Sequence, residues 1–199
     1  MNNVFKAFSI NKSMLIGITG RLAAGKEILT SFFRERCFKY HETSKILIEG
    51  LKKRNIEITR TNMQNLGDEW RQEFGSGVLM QKLLEKIKQN ENCMIDSLRN
   101  AGEVDYLREN VNDFILIAVD ADQKLRWERM QKRGKLSDPK TWEGFLIADE
   151  RDYYDPANPD GQQVKLCMEK ADYLITNNND LSESYREIEK IWKEINERC

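Results

Sequence analysis

The residues best suited to chemistry begin with Gly20-Arg21-Leu22-Ala23-Ala24-Gly25-Lys26. Two glycines with four residues between them, closed by a lysine, let successive backbone N–H groups turn inward around phosphate oxygens while the ammonium reaches the outer phosphates. The flanks suit that task. Met14-Leu15-Ile16-Gly17-Ile18-Thr19 reads as a short buried strand, and Glu27 to Arg36 has helical spacing. A helix N-terminus behind the loop adds its positive dipole end. The expected ligand is ATP, gripped by Gly20 to Lys26 and by the next two residues, Glu27 and Ile28.

Those two residues depart from the common pattern, in which Ser or Thr follows the lysine and holds magnesium. With no hydroxyl at Glu27 or Ile28, Mg2+ needs other groups: Asp96 through water, with Glu27 as a further candidate. The alternative is a loop that binds a nucleotide without turnover. Residues alone leave both readings open.

A second set of candidates lies in Thr59 to Arg71, which reads as helix with Met63, Leu66, Trp70 and Phe74 as its apolar face. On an adjacent face Arg60, Gln64, Gly67 and Arg71 align within about 60°. Guanidinium forks suit phosphate oxygens, the amide suits a base or ribose edge, and the glycine admits a ligand close to the backbone. This face is the expected substrate-binding wall. A third set, Arg126, Arg129 and Arg133, spans about 60° of another helix; Arg126 reads as part of a solvated face. Arg151, in Asp149-Glu150-Arg151-Asp152, is either a further lid arginine or paired with its acidic neighbours.

These side chains must be positioned by a sheet. Apolar runs recur at Cys93-Met94-Ile95-Asp96, Phe114 to Val119 and Tyr173-Leu174-Ile175-Thr176, separated by helical segments. Alternation of that kind implies parallel strands covered on both faces. Leu181, Tyr185, Ile188, Trp192 and Ile195 give the last helix one apolar face. Asp155-Pro156-Ala157-Asn158-Pro159-Asp160-Gly161 reads as a loop. In Glu42-Thr43-Ser44, Thr43 or Ser44 is the expected cap of the next helix. Trp127, Trp142 and Trp192 read as packing residues.

Ile95-Asp96-Ser97-Leu98-Arg99 resembles the Asp-Gly-x-Pro-Arg segment of adenylate-kinase-like enzymes. That resemblance implies that Asp96 orients hydrated magnesium and Arg99 holds the acceptor phosphate. Ala118-Val119-Asp120-Ala121, with Leu125, Arg129 and Arg133 beyond it, and Ala171 to Asn178 look similar to dephospho-coenzyme A kinases and nucleoside monophosphate kinases. The resemblance implies that Arg129 and Arg133 belong to a lid over the transferring phosphoryl group, and that Asn177, after the last strand, lies on the adenine side. It runs in motif order from residue 14 to about residue 195.

Composition narrows the partners. Thirty-two basic and 33 acidic residues leave a net charge of -1, with no basic stripe for nucleic acid or for an anionic membrane. No apolar run reaches the roughly 20 residues of a bilayer span, and the first residues lack a signal-peptide core, so a cytoplasmic protein is expected. Cys37, Cys93, Cys167 and Cys199 are too scattered for a zinc site and read as reduced thiols, and His41, the only histidine, reads as structural.

The expectation is a single α/β domain over residues 1–199: a three-layer α/β/α P-loop NTPase fold with a five-stranded parallel sheet. A helical acceptor-binding insert spans about residues 42–90 and an arginine lid about residues 126–155. The expected activity is transfer of the γ-phosphoryl group of ATP to a small nucleotide-like acceptor. The first candidate acceptor is a nucleoside monophosphate, because no aspartate suited to deprotonate a hydroxyl is evident soon after the loop. Dephospho-coenzyme A phosphorylation and silent nucleotide binding are the alternatives. The residues leave oligomeric state open.

Overall fold

Every side chain of the first strand, β1 (Leu15–Gly20), is buried, as a strand with neighbours on both edges and helices on both faces requires. The computed structural model describes residues 13–88, 90–134, 138–178 and 180–198. Within them the chain runs β1, α1 (Glu27–Glu35), β2 (Lys39–Glu42), α2 (Thr43–Lys53), α3 (Arg60–Phe74), α4 (Val78–Leu84), β3 (Cys93–Asp96) and α5 (Ala101–Asn110). It continues through β4 (Phe114–Asp120), α6 (Gln123–Arg133), α7 (Trp142–Tyr153), α8 (Val164–Glu169), β5 (Tyr173–Thr176) and α9 (Leu181–Arg198). All five strands are parallel, in the order β2-β3-β1-β4-β5. The expected three-layer α/β/α fold is therefore the observed one.

Two apolar layers sandwich the sheet. One joins Ile16, Ile18 and Met94 to Phe32 and Phe33 of α1 and Ile188, Ile191 and Ile195 of α9. Trp192 lies edge-on to Phe33 and Phe38, with ring centroids 5.8 Å from each, a geometry that adds quadrupole attraction to burial. Leu181 is exposed at the start of α9, while Ile191 is buried alongside Ile188 and Ile195. The other layer gathers Leu15, Ile95 and Leu116 with Leu79, Leu83, Val104, Leu107 and Cys167.

Helices α2, α3 and α4 follow β2 and pack on one another. Gly50 permits that contact, because a Cβ there would lie 2.5 Å from the Trp70 ring. Thr59 caps α3 by accepting from the Asn62 N–H at 3.1 Å. Phe74 is exposed, so the apolar face of α3 is shorter than its periodicity suggested. Neither Thr43 nor Ser44 caps α2: the helix starts at Thr43, and Glu42, in extended conformation, is its N-cap without a side-chain hydrogen bond. The 155–161 segment is a loop pinned to its neighbours. Asn100 Nδ2 donates to Pro159 O and Gly161 O, and Gln163 Nε2 donates to Asp155 O and Asn158 O.

Cys37, Cys93 and Cys167 are free thiols, while Cys199 lies outside the described residues. Burial pushes the Cys93 thiol up to about 11 and removes it from thiolate chemistry. No described helix is long and apolar enough to cross a membrane.

The aromatic layer between α1 and α9 should dominate stability. Phe33→Ala, at a side chain only 1% exposed, is expected to cost about 3–5 kcal/mol in urea unfolding, and a loss under about 1 kcal/mol would contradict this placement of the core.

Candidate functional site

Beyond β1 the chain turns through a left-handed segment, with φ of 138° at Gly20, 59° at Ala23 and 91° at Gly25. Only glycine fits at position 20, since a Cβ there would lie 2.0 Å from Val119 O. Lys26 Nζ donates to Gly20 O and Arg21 O, each at 2.9 Å, closing the loop on itself. Burial, then the charge of Arg99, lowers the lysine pKa to about 8, against the opposing pull of Asp96 and Glu27. Ile28 does not turn toward this loop; its side chain is buried in the α1/α9 layer. Any contact it makes with phosphate is through its backbone. Glu27 is exposed at the cleft rim.

Asn177 and Arg129 brace the back of the loop. Asn177 Nδ2 donates to Ala24 O at 2.9 Å, and Arg129 donates to Ala24 O at 3.2 Å and to Asn177 O at 2.9 Å. Ser184 Oγ of α9 donates to Asn177 Oδ1 at 2.9 Å, fixing the amide. A Cβ on Gly25 would meet that amide at 2.3 Å, so the second glycine serves this close approach.

From the loop a cleft of about 510 Å³ opens toward α2 and α3. It brings together Lys26, Asp96, Arg99, Arg60, Gln64, Arg71 and Arg133, side chains from four separate segments. Asp96 ends β3 beside Glu42, its register partner at the end of β2. The Tyr40 hydroxyl lies 2.9 Å from Glu42 Oε1 and 3.0 Å from Asp96 Oδ2, and Ser97 Oγ donates to Asp96 Oδ1 at 3.0 Å. Burial, then the neighbouring Asp96 charge, pushes the Tyr40 phenol well above its ordinary value, so it stays protonated as a donor. Thr43 Oγ1 on the same wall is buried with no hydrogen-bond partner among the described residues.

The arginines divide by partner. Arg126 is buried, not solvated as its position on α6 suggested, because Asp149 of α7 receives its fork: Nη2 donates to Oδ2 at 2.9 Å. Arg21 of the loop pairs with the same carboxylate and stacks 3.8 Å over the Tyr153 ring. Asp152, one turn further along α7, accepts from Arg60 at 2.6 Å and Arg99 at 3.2 Å. Arg71 is also buried, donating to Glu103 at 2.9 Å and to Asp160 O at 2.9 Å, so its guanidinium is held in place by the fold at the cleft wall. Arg133 pairs with Asp138 at 2.8 Å, and Arg151 is exposed.

Periodicity missed Glu42, Asp149 and Asp152. A carboxylate ending the strand beside Asp96 marks Glu42 once the strand order is known. The spacing of three between Asp149 and Asp152 places both on one side of α7.

Among the described residues no three carboxylate, histidine or cysteine side chains converge as a metal cage. The donors present suit magnesium that keeps its waters, since such an ion takes one or two carboxylates plus substrate phosphates. Asp96 supplies an oxygen donor of that kind in the cleft that Lys26 also lines.

Residues 16–148 match the AAA domain family, over more than half of the chain. A UPF0200 protein of Thermococcus kodakarensis is 30% identical over 191 residues, covering 92% of this chain and 98% of that protein. A UPF0200 protein of Methanocaldococcus jannaschii is 28% identical, covering 92% and 90%. Among solved structures, a shikimate kinase from Acinetobacter baumannii in complex with shikimate superposes with a TM-score of 0.55 at 12% identity, covering 92% of this chain and 95% of that one. A gluconokinase from Sinorhizobium meliloti gives 0.54 at 16% identity, with 87% and 88% covered. At such identities the likeness is one of fold, and the fold is that of P-loop kinases.

Burial works to raise the Asp149 carboxyl, but the hydrogen bonds and charges of Arg126 and Arg21 overcome it and hold its pKa below the ordinary value. Its contribution to stability is therefore complete above the unfolded pKa of about 4 and is lost as pH falls through the lower folded value. Asp149→Asn should lose about 3–5 kcal/mol at pH 7, as for one member removed from a buried pair, and should show a shallower acid dependence in urea unfolding. Equal acid slopes in both proteins would refute this. Lys26 also has a folded pKa, of about 8, below its unfolded value of roughly 10.4, so stability should likewise rise with pH, here from pH 8 to 10. Lys26→Met should remove that rise.

Proposed function

We propose that this chain, which belongs to the UPF0200 family and to the AAA domain family, is an ATP-dependent phosphotransferase acting on a small nucleotide-like acceptor. The observation that carries this reading is the single cleft that opens on Lys26 and the phosphate loop at one end and on Arg60 and Gln64 at the other, with Asp96 between them.

Each side chain has a task in that scheme. The loop N–H groups and Lys26 hold the outer phosphates and stabilise charge as it develops during transfer. Bound ATP with magnesium supplies the phosphoryl group. Asp96, held by Tyr40 and Ser97, orients the hydrated ion, with Glu27 at the rim as a secondary contact. Arg99, Arg60 and Gln64 hold the acceptor, and Arg71 shapes the wall behind it. Arg133 faces the cleft from the end of α6, and Arg129 with Asn177 keeps the loop in register on the adenine side. Helices α2 to α4 act as the acceptor-binding insert and the α6–α7 region as the lid.

A nucleoside monophosphate is the first candidate acceptor, in keeping with the adenylate-kinase-like order of motifs. Glu42 supports a second reading. A hydroxyl acceptor, such as the ribose of dephospho-coenzyme A, needs a group to take its proton, and Glu42 is a carboxylate in the cleft beside Asp96. The buried Thr43 hydroxyl next to it is free to bond a polar acceptor group.

The test is ADP formation from ATP and magnesium across ribo- and deoxynucleoside monophosphates and dephospho-coenzyme A. Acceptor-dependent turnover is expected, falling by about 10²-fold or more in Lys26→Ala. Glu42→Gln should lower turnover by about 10²-fold or more with a hydroxyl acceptor and leave monophosphate acceptors nearly unaffected. Silence across the panel while ATP still binds would leave a nucleotide-binding module without turnover.

A further inference from the structure

Asp152 of α7 holds two arginines that come from separate segments, Arg60 from the start of α3 and Arg99 from the turn after β3. Both guanidiniums donate to the same oxygen, Oδ2, at 2.6 and 3.2 Å. The carboxylate is the buried partner: its side chain is 6% exposed, against 33% and 34% for the two arginines, which face the cleft. One anionic oxygen shared by two forks is the arrangement that a phosphate oxygen adopts with an arginine pair.

No other arginine of the acceptor wall offers a replacement. Arg71 is held by Glu103 and by the Asp160 carbonyl. Arg133 is paired with Asp138. An incoming phosphate ester therefore meets an arginine pair whose charge is already partly neutralised.

We propose that Asp152 determines specificity at the acceptor site: it is a resident anion on the Arg60–Arg99 pair, and a phosphate-bearing ligand binds those arginines only by displacing it. This rests on the reading of the cleft as the acceptor site. The two guanidiniums and the carboxylate together carry a charge of +1, where the arginines alone would carry +2. Dianions thus gain less attraction than the bare pair would give them, and the cleft selects acceptors that bring contacts beyond a phosphate. Because Asp152 shares α7 with Asp149, which holds Arg21 of the phosphate loop, displacement also loosens one attachment between α7 and the cleft.

The experiment is calorimetric titration, without ATP, of inorganic phosphate and of adenosine monophosphate into the wild type, Asp152→Asn and Asp152→Asn/Arg99→Ala. Replacing the resident charge by a neutral amide should tighten both ligands about tenfold or more, since an opposing unit charge at this range is worth at least that in a partly solvated site. The double variant should lose the gain. Binding that is unchanged or weaker in Asp152→Asn would overturn the proposal and leave Asp152 as a residue that only positions the arginines. Melting with and without phosphate guards against a folding defect. Phosphate should raise the melting temperature of Asp152→Asn more than that of the wild type, and an equal or smaller rise counts against the proposal. Turnover is not read in either measurement, so a failure of the kinase assignment remains a separate result.

Discussion

The left-handed turn at Gly20 is the constraint on which the site depends. A strand buried on both faces must release its chain at the carboxyl end of the sheet without leaving polar groups unpaired. The tight approach to Val119 O leaves no room for a side chain there. From that turn the loop wraps around the Lys26 ammonium, which borrows the carbonyls of Gly20 and Arg21. The loop is thereby tied by contacts within the protein, which lowers the ordering entropy that binding an anion costs. The low pKa of Lys26 belongs to the same arrangement: a buried cation close to Arg99 is destabilised until negative charge is brought to it.

Around this turn the molecule distributes carboxylates as carefully as it distributes cations. Asp149 serves Arg126 and Arg21, Asp152 serves Arg60 and Arg99, and Glu103 serves Arg71 while capping α5. Each buried guanidinium would be costly alone, and each pairing joins segments distant in sequence. Helix α7 therefore supplies the counter-charge for both the loop and the insert. Its apolar side packs through Trp142 and Phe145 against Trp127 of α6, which confirms those tryptophans as packing residues.

The sheet was legible in the sequence because four runs of apolar residues leave little alternative to buried parallel strands, and the loop was legible because its glycine spacing has a mechanical meaning. Fine placement was less so. Arg126, Arg129 and Arg133 share a helix face to within about 60°, yet one is buried, one braces the loop and one lines the cleft, because their partners come from α7, from β5 onward and from Asp138. Helical periodicity carries no information about such distant partners. Glu42 escaped notice for a similar reason: β2 is a short edge strand with a half-buried pattern, and only its pairing with β3 puts the glutamate next to Asp96. Ile28 reads as a lost hydroxyl in one dimension and as a core side chain in three.

The chain of contacts from Ser184 through Asn177 to Ala24 has a consequence for how the molecule fails under stress. Helix α9 is the last element in sequence, yet its second turn supports the amide that supports the phosphate loop. Fraying that begins at the start of α9, where Leu181 gains little from burial, would remove the outer prop of the loop while the sheet stays intact. The geometry of the loop is thus tied to a local opening of lower free energy than global unfolding, and warming would disorder the loop ahead of the fold.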